Sequence, residues 1–163
     1  MHHYVSMVRR RIAAGGWGLL PLRLLAGFGF AAHGYAKLSR GPDRFAVILS
    51  AIGVPHPHFM SWATALIEFC GGLSVMAGAF VTLLSIPLAA VMLTAMISVH
   101  LRYGFSSVRL QSVSAAGAQF GPIGYELNLL YIAALVALAL GEPSKLSLDH
   151  YLNRRTDLKH APE

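Results

Sequence analysis

The chain has 163 residues, of which 55% are hydrophobic and only 12% are charged. A soluble domain is ordinarily about a quarter charged, so this composition indicates an integral membrane protein with little mass outside the bilayer. The net charge of +6 is spread over the flanks of apolar stretches, where lysine and arginine act as topology signals and headgroup contacts. We therefore expect the chain to meet a lipid bilayer and no nucleic acid.

Four apolar stretches each approach the length of about 20 residues that a helix needs to cross a bilayer. No charged residue separates the second from the third, so these two must form an antiparallel helical hairpin. The pattern predicts an all-α polytopic membrane protein, a four-transmembrane-helix antiparallel bundle, with residues 1–163 forming one domain. The predicted spans are residues 17–38, 59–80, 81–101 and 123–140.

The loop between the first two spans contains apolar residues at helical spacing. Phe45, Ile48, Leu49 and Ile52 recur in this way, which predicts a short amphipathic helix over residues 43–53 at the membrane surface.

The run Arg9-Arg10-Arg11 before the first span resembles the start of a signal peptide. However, the apolar stretch is long and Arg23 interrupts it, so we expect an uncleaved first helix. Near the ends of the spans, the two termini carry seven Lys and Arg residues and the two long loops carry five. This excess favours cytoplasmic termini.

Cys70 is the only cysteine. A single cysteine excludes an intramolecular disulfide and a dithiol redox cycle within the chain. In apolar surroundings a lone cysteine is typically a small packing residue.

Each span holds an ionisable side chain whose burial in hydrocarbon costs a few kcal/mol. A helix rises about 1.5 Å per residue, so alternating helix directions predict that several of these groups meet near one membrane face. The residues expected at that level are His33, Lys37, His100 and Glu126, with Glu68 below them and Arg23 deeper, toward the other face.

Structural explanations for these residues remain open. Arg23 and Glu68 would neutralise each other as a pair, and Lys37 would extend to lipid headgroups. Glu126 at a helix N-terminus is favoured by the helix dipole, and His100 at an interface needs no function. The histidines and carboxylates show no tight ligand spacing such as H-x-x-x-H, so no metal site is predicted. The functional alternative to these structural roles is that the same histidines and carboxylates line a polar crevice and transfer protons to a quinone headgroup.

The motifs of the chain, in their order and spacing, resemble those of the DoxX family of small four-span bacterial membrane proteins. The likeness runs from about residue 23 to residue 149. It is carried by Arg23, Ala32-His33-Gly34-Tyr35-Ala36-Lys37-Leu38, Gly53-Val54-Pro55, Glu68 with Gly71-Gly72 and Gly78, His100, Gly124-Tyr125-Glu126-Leu127-Asn128, Gly141-Glu142-Pro143 and Ser147-Leu148-Asp149.

The resemblance implies a compact four-helix membrane bundle and association with respiratory oxidoreductases, redox-defence proteins or metal-handling proteins. The resulting hypothesis is a membrane subunit of a quinone-linked system, in which a polar crevice binds a quinone or small polar ligand. His33, Glu68, His100 and Glu126 are the candidate proton-handling or ligand-handling residues. Arg23, Lys37 and Asn128 are the candidate ligand-binding residues.

No tightly bound cofactor is expected, and a quinone is the candidate ligand. A partner protein or a second copy of the chain is expected to assemble with it. The alternative is a non-catalytic membrane anchor or assembly partner for a redox or metal-handling protein, whose polar residues only hold helices together. The motif Ser147-Leu148-Asp149 also predicts that the C-terminal tail packs back on the end of the bundle.

Overall fold

The computed structural model of the chain describes residues 17–142 and 144–151. The predictions that concern the basic N-terminal segment and the end of the tail therefore lie outside the described residues.

The described part is mostly helical. Its α-helices are α1 (Leu20–Arg40), α2 (Pro42–Ala51), α3 (Pro57–Ala77), α4 (Val81–Ala95) and α5 (Glu126–Leu140). The chain continues from α4 through a π-helical turn, Met96–His100, and a 3-10 turn, Leu101–Tyr103. The four long helices lie within a few residues of the predicted spans. The short helix α2 coincides with the amphipathic helix predicted over residues 43–53.

A two-stranded antiparallel hairpin corrects the all-α prediction. Its strands are β1 (Leu110–Ser114) and β2 (Gly117–Phe120), in the loop between α4 and α5. A register irregularity between Leu110 and Ser112 breaks the regular alternation of polar and apolar residues. That break hides the strand pattern in the sequence, because strands are recognised by strict alternation.

Two helices of the described part are long and apolar enough to cross a membrane, namely Pro57–Ala77 and Val81–Tyr103. Only 33% and 17% of their most apolar windows are buried within the protein, whereas the core helix of a soluble protein is mostly buried. Helix α5 has 15 residues, a length of about 22 Å, against a hydrocarbon thickness of about 30 Å. Four membrane-spanning helices therefore remain a prediction.

The four long helices pack as a closed ring of neighbours. Helix α1 contacts α3, α3 contacts α4, α4 contacts α5, and α5 returns to α1. The buried apolar side chains at their centre are Ala26, Phe30, Val75, Leu88, Leu135 and Leu138.

Small residues let α1 and α3 approach until their backbones touch. A Cβ atom at Gly72 would overlap the backbone of Ala31 and would lie 2.6 Å from the carbonyl oxygen of Gly27. A Cβ atom at Gly34 would lie 2.8 Å from the carbonyl oxygen of Ala65. These positions form the glycine seam of Gly27, Ala31, Gly34, Ala65 and Gly72, the kind of small-residue interface that joins helices in membranes.

The tail folds back against the turn between α3 and α4, as the last sequence motif predicts. The Asp149 carboxylate accepts hydrogen bonds from the backbone N–H groups of Phe80, at 2.8 Å, and Val81, at 3.1 Å. The Asp149 N–H donates to the Gly78 carbonyl oxygen at 2.9 Å. Asp149 thereby caps the N-terminus of α4, where two backbone donors would otherwise lack partners.

The seam predicts different effects for two adjacent glycines. Gly72→Ala should lower the free energy of unfolding by about 1–3 kcal/mol, because the added methyl group meets rigid backbone. Gly71→Ala is the matched control, since its Cβ would lie 3.3 Å from a Leu88 methyl group that can move aside. Thermal unfolding of both variants in detergent tests this, and equal losses would contradict a seam specific to Gly72.

Candidate functional site

A pocket of about 180 Å³ lies among the four long helices, toward the end where α1 finishes. One part of its wall is polar and the other is apolar. Its polar lining residues are His33, Lys37, Glu68, His100, Asn128 and Tyr131. Its apolar lining residues are Phe30, Met92, Ala95, Ile123 and Leu127.

An ion pair between Lys37 and Glu68 forms the charged part of the wall. Glu68 is only 2% exposed, and Lys37 also lies over the ring of Phe45, with its Nζ 5.2 Å from the centroid. Side chains on a helix lean toward its N-terminus. Because α1 and α3 run in opposite directions, Lys37 and Glu68 lean toward each other. The expectation that Lys37 extends to lipid headgroups is therefore wrong.

Arg23 is not the partner of Glu68, which corrects the expected charge pair. Its Nη1 donates to the Ser144 hydroxyl at 3.0 Å, and its Nη2 donates to the Leu146 carbonyl oxygen at 2.9 Å. Arg23 and Lys37 are separated by about 21 Å along α1. The lean toward the helix N-terminus carries the guanidinium away from Glu68 and into the tail. Arg23 therefore lies outside the pocket and joins α1 to the tail.

His100 lines the pocket from the π-helical turn at the end of α4. Its Nδ1 lies 3.2 Å from the Ile123 carbonyl oxygen. Since a carbonyl oxygen only accepts, Nδ1 carries a proton, and Nε2 is the acceptor in the neutral ring. Isolated π turns recur at functional sites because they redirect side chains within a helix.

Asn128 is buried, and its side-chain amide donates to the Met92 carbonyl oxygen at 3.3 Å. This bond joins α5 to α4 and fixes the orientation of the amide. The same amide nitrogen lies 3.9 Å from the Met92 sulfur, which is a weak acceptor. A ligand in the pocket would meet the amide oxygen, or would take the amide hydrogen that now points at the sulfur. Asn128 thus lines the pocket in a defined orientation, as a candidate ligand-binding residue.

Tyr131 also lines the pocket, and the sequence interpretation missed it. Its ring packs edge-on against Phe30 with centroids 5.0 Å apart. A Cβ atom at Gly29 would overlap the Tyr131 hydroxyl, so any larger residue there would displace the Tyr131 side chain. The available signal was the spacing of three residues from Asn128, which places both on one helix face.

His33 and Glu126 are placed differently by the structure. His33 lines the pocket and is exposed, so it stands at the opening. Glu126 lies at the predicted end of the helices, but it does not line the pocket. Its carboxylate accepts a hydrogen bond from the Ser107 N–H at 2.9 Å and so anchors the loop that follows α4.

The pocket combines one carboxylate with one ammonium group and two histidines, so its fixed charges cancel while the histidines are neutral. Among residues 17–142 and 144–151, no three His, Cys, Asp or Glu side chains are grouped to hold a metal ion. The arrangement suits an uncharged ligand with hydrogen-bonding oxygens and an apolar surface.

Comparison of the sequence with known proteins identifies a family. The family model described as DoxX matches residues 18–101, just over half of the chain. No curated protein and no solved structure matches significantly. The matched region includes α1 to α4 and four of the polar pocket residues, namely His33, Lys37, Glu68 and His100. DoxX is a membrane family, which agrees with the two apolar helices found here. The chain is therefore a membrane protein of the DoxX family.

Proposed function

We propose that this chain is the membrane subunit of a quinone-linked oxidoreductase system, either respiratory or in redox defence, and that the pocket binds the quinone headgroup. We place it in the inner membrane of a bacterium with both termini in the cytoplasm. The observation that carries the proposal is the convergence of hydrogen-bonding side chains from α1, α3, α5 and the π-helical turn on one small pocket with an apolar wall.

The size and lining of the pocket fit a single flat ring. Pockets for drug-sized ligands measure about 300–1,000 Å³, and this one has about 180 Å³. A quinone ring has apolar faces and two carbonyl oxygens that only accept hydrogen bonds. Met92, Ile123 and Leu127 supply apolar contact, while Lys37 and Asn128 supply donors. A small polar ligand of similar size and acceptor pattern would meet the same groups.

Proton handling is the chemistry that these side chains suit. Reduction of a quinone to a quinol takes up two electrons and two protons. His33, at the opening, and His100, on the π turn, carry imidazole rings, and each ring has one nitrogen that can accept a proton and one that can donate it. We assign the electrons to a partner chain, because the lone Cys70 cannot cycle as a dithiol.

A second candidate is a non-catalytic anchor or assembly partner. It is favoured by the pairing of charged groups within the protein: Glu68 with Lys37, Arg23 with the tail, and Glu126 with the loop after α4. In that case the polar residues hold helices together and the pocket has no ligand.

Binding of a short-chain ubiquinone analogue to the purified protein tests the first candidate. We expect saturable binding that His33→Ala and Asn128→Leu each weaken several-fold, since each removes a polar group from the pocket. Two controls lie outside the pocket: His58→Ala, at an exposed histidine beside Asp43, and Arg23→Gln. Both should bind as the unmodified protein does. Absence of saturable binding, or equal binding by all four variants, rules the quinone site out.

The ion pair offers a test that separates binding from stability. Lys37→Met alone should cost about 3–5 kcal/mol of unfolding free energy, because it leaves the buried Glu68 carboxylate without its partner. Glu68→Leu alone should cost less, because the Lys37 side chain is 20% exposed. The double variant should recover most of this loss, since replacing both charges with apolar groups is often neutral.

Ligand binding by the double variant then separates the two functions. If the pocket is a quinone site, the double variant unfolds near the temperature of the unmodified protein but binds the analogue several-fold more weakly. If the residues are purely structural, the analogue does not bind even the unmodified protein, and only the unfolding temperatures of the single variants change.

A further inference from the structure

We propose that the hairpin β1–β2 lies on the membrane surface, with one face in the headgroup region of anionic lipids. The proposal concerns a surface outside the pocket and does not depend on the function proposed above. It follows from the register of the hairpin, the exposure of its apolar side chains, the way its base is held and its charge.

The register gives the hairpin one apolar and one polar face. Cross-strand partners share a face, and successive pairs alternate between the two faces. The apolar face consists of the pairs Leu110↔Phe120 and Val113↔Ala118. The polar face consists of the pairs Ser112↔Gln119 and Ser114↔Gly117. The Ser112 hydroxyl donates to the Gln119 side chain at 3.3 Å, which confirms that these two share a face.

The bulge is the reason that the apolar residues align. Gln111 has no partner in the register. If the pairing continued regularly from Ser112↔Gln119, Gln111 would pair with Phe120 and Leu110 would lie on the polar face. The irregularity that hides the hairpin in the sequence therefore assembles its apolar face.

That apolar face is uncovered within the described part of the protein. Leu110 is 59% exposed, Val113 is 71% exposed and Phe120 is 61% exposed. A two-stranded hairpin is only marginally stable by itself in water and needs something to pack against.

The base of the hairpin is held firmly against α5. The N–H groups of Gly124, Tyr125 and Glu126 donate to the carbonyl oxygens of Ser106, Gly104 and Phe105, at 3.0, 3.1 and 3.0 Å. Any Cβ atom at Gly124 would meet those oxygens, so only glycine fits there. The hairpin therefore leaves the helices in a fixed direction.

Position and charge identify the lipid surface as the occupant. The hairpin begins seven residues after the end of the apolar helix Val81–Tyr103, which places it near the level where the bilayer ends. Residues 101–125 contain Arg102 and Arg109, and the one carboxylate of the described residues that bonds to this segment is that of Glu126, on the Ser107 N–H. The segment therefore keeps a net positive charge, which complements anionic headgroups. Tyr103 and Tyr125 flank this segment, and such residues favour the membrane interface.

Nitroxide labels on the two faces test the proposal with the full chain. In a Cys70→Ala background, Val113→Cys labels the apolar face and Gln119→Cys is the matched control on the polar face. Both side chains are exposed, so both variants should fold. The protein is reconstituted in phosphatidylcholine vesicles with a quarter phosphatidylglycerol. We expect the label at 113 to be several-fold more accessible to oxygen than to a water-soluble nickel complex, and the label at 119 to show the reverse.

Three outcomes would overturn the proposal. Equal exposure of both labels to the nickel complex would show that the hairpin stands in water. Spin–spin broadening at 113 that disappears on dilution with unlabelled protein would show that a second copy covers the face. Unchanged immersion in vesicles of phosphatidylcholine alone would show that anionic headgroups play no part. Arg102→Gln should reduce the immersion of the label at 113 in the mixed vesicles.

Discussion

The close contact between α1 and α3 is the constraint on which the rest of the protein depends. Lipid chains are as apolar as leucine, so helices in a bilayer associate through packing and polar contacts. The glycine seam allows backbone-to-backbone contact, and that distance brings Lys37 within reach of Glu68. A wider separation would leave a buried carboxylate without a partner, at a cost of several kcal/mol. The same seam sets the spacing of two walls of the pocket.

Helix direction distributes the charges between the two ends of the protein. Side chains lean toward the N-terminus of their helix, so Lys37 and Glu68 converge from antiparallel helices. Arg23 leans in the same direction along α1, but it lies nearer the N-terminus of the helix, so this lean carries it away from the pocket and into the tail. The tail also caps α4 through Asp149. The two ends therefore have different roles. At one end, hydrogen bonds join α1, the tail and the α3–α4 turn around a small cavity of about 40 Å³. The other end contains the pocket of about 180 Å³.

The sequence allowed the long helices to be predicted, because apolar length and flanking charge are strong signals. It also grouped His33, Lys37, Glu68 and His100 near one end. The sequence did not show that Glu126, at the same level, bonds to the loop and does not line the pocket. Position along a helix gives the depth of a side chain but not the side of the helix from which it projects. Tyr131 was missed because tyrosine in an apolar helix is ordinary packing. The hairpin was missed because its bulge disrupts the alternation on which strand prediction relies.

The ion pair and a bound ligand are compatible, which matters for choosing between the two proposed functions. An ammonium group has three donors, and the bond to Glu68 uses one of them. Lys37 therefore keeps donors for a carbonyl oxygen in the pocket without losing its partner. Asn128 is held by the Met92 carbonyl oxygen, and its second amide hydrogen meets only the Met92 sulfur, a weak acceptor that a carbonyl oxygen would replace. A structural role for each residue is thus what holds it in place for a ligand, in keeping with the rule that binding groups are fixed by their other contacts.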